Sequence, residues 1–156
     1  MPKFYGKYRG RVTDNNDPGD KARVQVIVPS VLGEDILVWA MPCSPFAGPG
    51  VGFVSIPPVD ASVWIEFEAG DPRFPIWAGC FWQEGELPSA HKLSSAQFRP
   101  NFISIITEYM SLTVDDNAGG VIVIESNSGA RIELTPTEVK IDSANAKGVS
   151  INNHAF

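Results

Sequence analysis

Long apolar runs are missing from this 156-residue chain. No stretch approaches the ~18 residues that a membrane helix needs. Helical periodicity is missing as well, since no i, i+3, i+4, i+7 pattern outlasts about two turns. Basic charge is in short supply: 12 Lys and Arg stand against 18 Asp and Glu, a net charge of −6. That balance argues against a dedicated binder of nucleic-acid backbone, which needs clustered Lys and Arg. The opening Met-Pro-Lys-Phe-Tyr-Gly-Lys lacks an apolar segment followed by a cleavage-like site, so no secretory signal is expected.

Chemistry-bearing residues are equally sparse. The two cysteines, Cys43 and Cys80, form no C-x-x-C or other ligand spacing. Their apolar neighbours predict two small buried side chains in a chain made in a reducing cytosol. The two histidines are His91 and His154, and no G-x-S-x-G or other nucleophile signature accompanies them. Glu66 and Glu68 flank Phe67 at strand spacing, which predicts a shared solvated face rather than an acid/base pair. Asp14-Asn15-Asn16-Asp17 and Asp115-Asp116-Asn117 lack the full calcium-loop arrangement and read as turns. No enzyme, metal or cofactor is expected.

What the chain does have is β-type sequence punctuated by 14 Gly and 13 Pro. Residues 22–28 alternate Val24, Val26 and Val28 against Arg23, Gln25 and Ile27. Residues 35–41, 61–67 and 74–82 are rich in β-branched and aromatic side chains. Turn signals separate them at 15–20, 45–50, 56–60 and 69–72. Several short strands with no helix to cover a face predict a small closed barrel, because closure removes unpaired edges.

Residues 84–100 lose the alternation and read as a connector. From 101 a second pattern begins, with candidate strands at 102–106, 109–114, 121–126, 130–135, 138–142 and 148–152. Leu112, Val114, Ile122, Ile124, Ile132, Leu134, Val139, Ile141, Val149 and Ile151 are expected on one face of this meander. Burying each is worth roughly 1.5–3 kcal/mol. The segment is too short to cover that face itself, so the expected solution is a homotrimer with apolar side chains pointing at a shared axis.

Several motifs carry a family resemblance. Residues 6–29 (GKYRGRVTDNNDPGDKARVQVIVP) resemble the opening two strands of the OB-fold in central spike proteins of contractile injection systems. These include phage baseplate assembly protein V and the valine-glycine repeat protein G of type VI secretion. Residues 38–82 follow the same family's order: a Trp-bearing strand, an Ala-Gly-x-Gly turn, a proline-ended strand, a V-x-V-x-F-like strand and G-D-P-x-x-P-x-x-x-G. In that last motif Gly70 is expected to take positive φ, Asp71 to bond the turn backbone, Pro72 to set the bend before Pro75, and Gly79 to allow close backbone approach. Two features depart from the pattern. Asp60-Ala61-Ser62 stands where a Gly-Asp is frequent, and the later segment has neither valine-glycine octads nor a His-x-His.

The resemblance implies an all-β protein: an OB-fold over 1–83, a connector over 84–100 and an intertwined trimeric β-helix, or β-prism, needle over 101–156. It implies a non-enzymatic spike made in the bacterial cytoplasm and placed at a virion baseplate or injection-particle tip. The barrel would seat on a trimeric tail hub, and the needle would meet the target membrane transiently. His154 and Phe156 would dock a PAAR-type tip protein. A rival reading is an OB-fold module for single-stranded nucleic acid or glycan. Tyr5, Tyr8, Trp39, Trp64, Trp77 and Trp82 could stack bases, and Lys3, Lys7, Arg9, Arg11, Lys21 and Arg23 cluster early. Packing within the core or between subunits is the expected role of those tryptophans, and no nucleic-acid partner is expected.

Overall fold

The computed structural model describes residues 2–89, 99–143, 150–151 and 154–155. The chain divides into two compact units, residues 1–86 and 87–156.

The first unit is a closed barrel of five strands in the order β1-β2-β3-β7-β6. These are β1 (Tyr8–Asp14), β2 (Val24–Val28), β3 (Gly33–Pro42), β6 (Ser62–Phe67) and β7 (Pro75–Cys80). Antiparallel pairing of β1 with β6, from Tyr8↔Ile65 to Arg11↔Ser62, closes one side. A short parallel contact, Met41↔Ile76 and Pro42↔Trp77, closes the other. This arrangement is consistent with an OB-fold. Val12, Val24, Val26, Val28, Ala40, Val63, Ile65 and Phe67 fill the interior. Period-2 alternation places them there, with Phe4, Tyr8 and Trp77 capping the cluster. Ile27 is buried too, although it is not part of this cluster.

Two turns are built by acidic side chains. Between β1 and β2, Asp20 (φ 50°) and Ala22 (φ 56°) adopt left-handed backbone. The Asp17 carboxylate holds this loop by accepting the N–H groups of Gly19, Lys21 and Arg23. Between β6 and β7, Ala69 (φ 49°) and Gly70 (φ 73°) reverse the chain. Gly70 is also crowded, since a Cβ there would lie 3.0 Å from the Tyr5 ring and 3.2 Å from Phe4 N.

Between β3 and β6 the chain leaves the barrel as an arm. It carries a small hairpin of β4 (Ala47–Gly48) and β5 (Val51–Gly52). Ser44 Oγ ties its base by donating to the carbonyls of Phe46 and Phe53 at 3.0 Å each.

The second unit contains a single five-stranded antiparallel sheet in chain order. Its strands are β8 (Phe102–Ile106), β9 (Met110–Asp115), β10 (Val121–Ser126), β11 (Arg131–Leu134) and β12 (Val139–Asp142). Each reversal has a local cause. Thr107 and Met110 close one turn, and the Asp115 side chain accepts from Asn117 N before two positive-φ glycines, Gly119 and Gly120. Gly129 (φ 89°) and the Thr135–Glu138 bond make the remaining two. A two-stranded piece follows, β13 (Ser150–Ile151) with β14 (His154–Ala155). Among the described side chains of this unit none is buried. A sheet in one layer has no core, because a packed domain needs a second layer to cover the apolar face.

Four expectations are corrected here. Cys43 and Cys80 are exposed and unpaired, because Cys43 lies just past the end of β3 and Cys80 is the last residue of β7. Glu68 does not share a strand face with Glu66: the strand stops at Phe67 and Glu68 opens a 3₁₀ turn. Gly79 meets no close backbone, since a Cβ there would find nothing within 4 Å; its φ of 138° is what calls for glycine. The barrel segment also contains one helical turn, Pro29–Leu32, between β2 and β3.

Candidate assembly surfaces

The ladder registers decide how the second unit presents its side chains. Ile103 and Ile105 of β8 lie across from Val114 and Leu112 of β9. Those two pair with Ile122 and Ile124 of β10, which pair with Leu134 and Ile132 of β11. Val139 and Ile141 of β12 complete the row. Directly opposed residues of a sheet share a face, so every strand sends two aliphatic side chains to the same side. Ile122, Ile124, Ile132 and Leu134 are 36–41% exposed, and the flanking Ile103, Ile105, Val139 and Ile141 more so. A shallow apolar depression of about 450 Å³ lies among Met110, Ile124, Ile132 and Ile141.

Ile103 and Ile105 were not among the expected axial residues, although their alternation with Ser104 was a readable signal. Val149 lies outside the described residues, as do His91 and Phe156. Ile151 and His154 are opposed in the β13–β14 pair.

The reverse face is polar on β9, β11 and β12, while β10 places the half-buried Val121 and Val123 there beside Glu125. The Arg131 guanidinium bridges Glu125 (3.3 Å) and Glu133 (3.0 Å). Lys140 pairs with Glu138 at 2.9 Å, and that carboxylate raises the lysine pKa. Charges laid across neighbouring strands in this way keep one face wetted.

On the barrel, the conspicuous surface is the arm. No charged residue lies between Asp35 and Asp60. Phe46, Val51, Phe53, Val54, Ile56 and Val59 are all 40% exposed or more.

Several of the barrel's aromatics are committed to contacts within the unit, whereas Tyr5 (73%) and Trp82 (64%) are exposed. Phe4, Tyr8 and Phe67 pack edge to face or tilted, with centroids 5.6–6.1 Å apart. Trp64 and Phe81 lie 4.6 Å apart under the Arg9 guanidinium. Arg23 covers Trp39 at 5.5 Å, and the Trp77 indole N–H donates to Ala22 O. A ring already capped by arginine offers no open face to a base.

The titratable groups that depart from their ordinary values serve the turns. Arg23, with three backbone N–H donors, holds the Asp17 carboxyl well below the usual carboxylate range. Arg73 does the same for Asp71, which also accepts the Arg73 N–H at 3.0 Å within the Gly70–Gly79 motif. Partial burial pushes the Cys80 thiol up. Among the described residues no three His, Cys, Asp or Glu side chains converge as metal ligands. No helix among them is long and apolar enough to cross a membrane.

The described residues form a five-stranded barrel consistent with an OB-fold and, in the other unit, a five-stranded antiparallel sheet. The comparison with known families agrees for the barrel: residues 8–82 match the Type VI secretion system/phage-baseplate injector OB domain. Over those residues the barrel is similar to that family's OB domain. It is similar to the type VI secretion system spike protein VgrG4b of Pseudomonas aeruginosa strain PAO1, with 32% identity over 85 residues. That match takes in 52% of this chain and only 10% of the relative.

Proposed function

We propose that the chain is a non-enzymatic structural spike at the tip of a contractile phage tail or related injection particle. The barrel seats on a trimeric hub. The second unit assembles with two sister copies into a β-prism that meets the target envelope, and a PAAR-type protein caps its far end through His154 and Phe156. The reading is mechanical: contraction pushes the tube forward, and a stiff narrow rod concentrates that force.

The observation that carries this reading is a five-stranded sheet with two aliphatic residues per strand on one face and, among the described residues, no second layer over it. Three copies around an axis would place six aliphatic side chains in each layer, with layers roughly 4.8 Å apart. Each side chain so buried contributes on the order of 1.5–3 kcal/mol. Two copies would cover the face but leave strand ends open, whereas three close a prism. The barrel's similarity to the injector OB domain supports the setting, and the engagement of Trp39 and Trp64 by arginine speaks against the nucleic-acid alternative.

Sedimentation equilibrium of the full chain tests it. The expected species has three times the 16.9 kDa mass of one chain. A monodisperse monomer across the concentration range would remove the prism and the spike role built on it.

A further inference from the structure

The prism accounts for the sheet but leaves the barrel's arm unexplained. Cyclic trimers need heterologous contacts: a projecting patch on each copy must meet a different, receptive patch on the next. The barrel carries one of each. The projection is the arm between Cys43 and Asp60, with its base fixed by Ser44 and its apolar residues turned to solvent. The receptive surface is a cavity of about 500 Å³ whose lining includes Trp39, Met41, Cys43, Phe74, Pro75 and Ile76. Arg23 and Arg73 stand on its wall, yet both are held by their own partners, Asp17 and Asp71. Glu68 also lines the cavity, so its walls are mainly apolar with one carboxylate among them, which suits an occupant without acidic groups such as the uncharged arm.

Size supports the match. At 40–73% exposure, the six large apolar residues of the arm offer on the order of 600 Å². That is at the upper end of the ~300–600 Å² that a monomer ordinarily leaves as one patch and approaches the ~800 Å² per partner of a stable interface.

We infer that the arm of one copy seats in the Trp39–Phe74 cavity of the next, so that the barrels form their own ring of contacts. The inference rests on the trimer proposed above, and the test separates the two.

Cys43 supplies a native thiol at the cavity wall. Val51 lies near the arm's tip, across the small hairpin from Gly48. A disulfide between Val51→Cys and Cys43 within one chain would leave a monomer band, so the gel separates it by size from any link between chains. The full chain carrying Val51→Cys and Cys80→Ser is oxidised at low concentration and run on a non-reducing gel. Expected is a ladder of covalent dimer and trimer that disappears when Cys43→Ser is added. A chain that sediments as a trimer but gives no ladder overturns the seating while leaving the prism, and hands the arm to a different protein. A covalent dimer that survives Cys43→Ser shows arm meeting arm and also overturns it. A monomer by sedimentation overturns both readings.

Discussion

Ile132 lies directly across from Ile141 in the β11–β12 ladder, and both side chains face solvent in the single chain, at 40% and 51% exposure. Their immediate neighbours on the reverse face are charged: Arg131 and Glu133 beside one, Lys140 and Asp142 beside the other. A ladder that spends two β-branched aliphatics on its exposed side and its charges on the half-covered side is built for a partner. Ile132→Asp or Ile141→Asp would place three unpaired carboxylates around a dry axis, each costing several kcal/mol. The expected result is loss of the trimer in sedimentation. Arg131→Gln, one position away on the polar face, should leave the stoichiometry unchanged. If the aspartate variants sediment like the parent, the inward assignment of this face is wrong.

Ile105 extends the same argument to the first strand. It opposes Leu112, which opposes Ile124, so a single row runs from β8 through β10. Ile105→Asp is therefore expected to abolish trimer formation as fully as Ile124→Asp. An intact trimer for Ile105→Asp beside a broken one for Ile124→Asp would confine the axis to β9–β12.

The second unit was legible because a period of two is a strong signal when charged and aliphatic residues take turns, as in Arg131-Ile132-Glu133-Leu134. Its first strand was harder, since Ile105-Ile106 places isoleucine on both faces and hides the alternation. In the barrel, the Gly70–Gly79 motif could be recognised from residue order alone. The arm could not. Proline and glycine between 45 and 50 read as a plain turn, and the exposure of Phe53 or Val54 depends on where the backbone goes after Ser44. The cysteines misled for a related reason: apolar neighbours in sequence do not bury a residue that stands at a strand's end. Gly10 gave no local sign, because its constraint comes from Ile65, which is distant in sequence and adjacent in space.

That constraint is measurable. A Cβ on Gly10 would lie 2.8 Å from Ile65 Cγ1 and 3.1 Å from the Ile27 carbonyl oxygen, inside a packed barrel. Overfilling of this kind typically costs about 1–3 kcal/mol. Gly10→Ala is expected to lower the barrel's unfolding midpoint. Tryptophan fluorescence is a clean probe, because Trp39, Trp64, Trp77 and Trp82 all lie in the first unit. Denaturant unfolding indistinguishable from the parent would mean that β1 and β6 move apart at little cost.

Asp17 ties the β1–β2 loop to charge and so to pH. Its side chain is nearly enclosed, and Arg23 binds it at 2.6 Å while that same guanidinium covers Trp39. The carboxyl therefore titrates well below its ordinary value of roughly 3.9 in an unfolded chain. A depressed folded pKa stabilises the native state at every pH above the unfolded value, and that stabilisation fades only as acid reaches the folded carboxyl. Asp17→Asn keeps the shape but removes the charge, so it should unfold more readily than the parent at pH 7. Below about pH 4 the gap should narrow, because the unfolded parent takes up a proton that its folded Asp17 still resists, and it closes only when acid protonates the folded carboxyl. Melting followed by tryptophan fluorescence at pH 7 and pH 3 distinguishes the cases: a gap of equal size at both would show that the loop depends on Asp17's shape and not on its ionised pairing with Arg23.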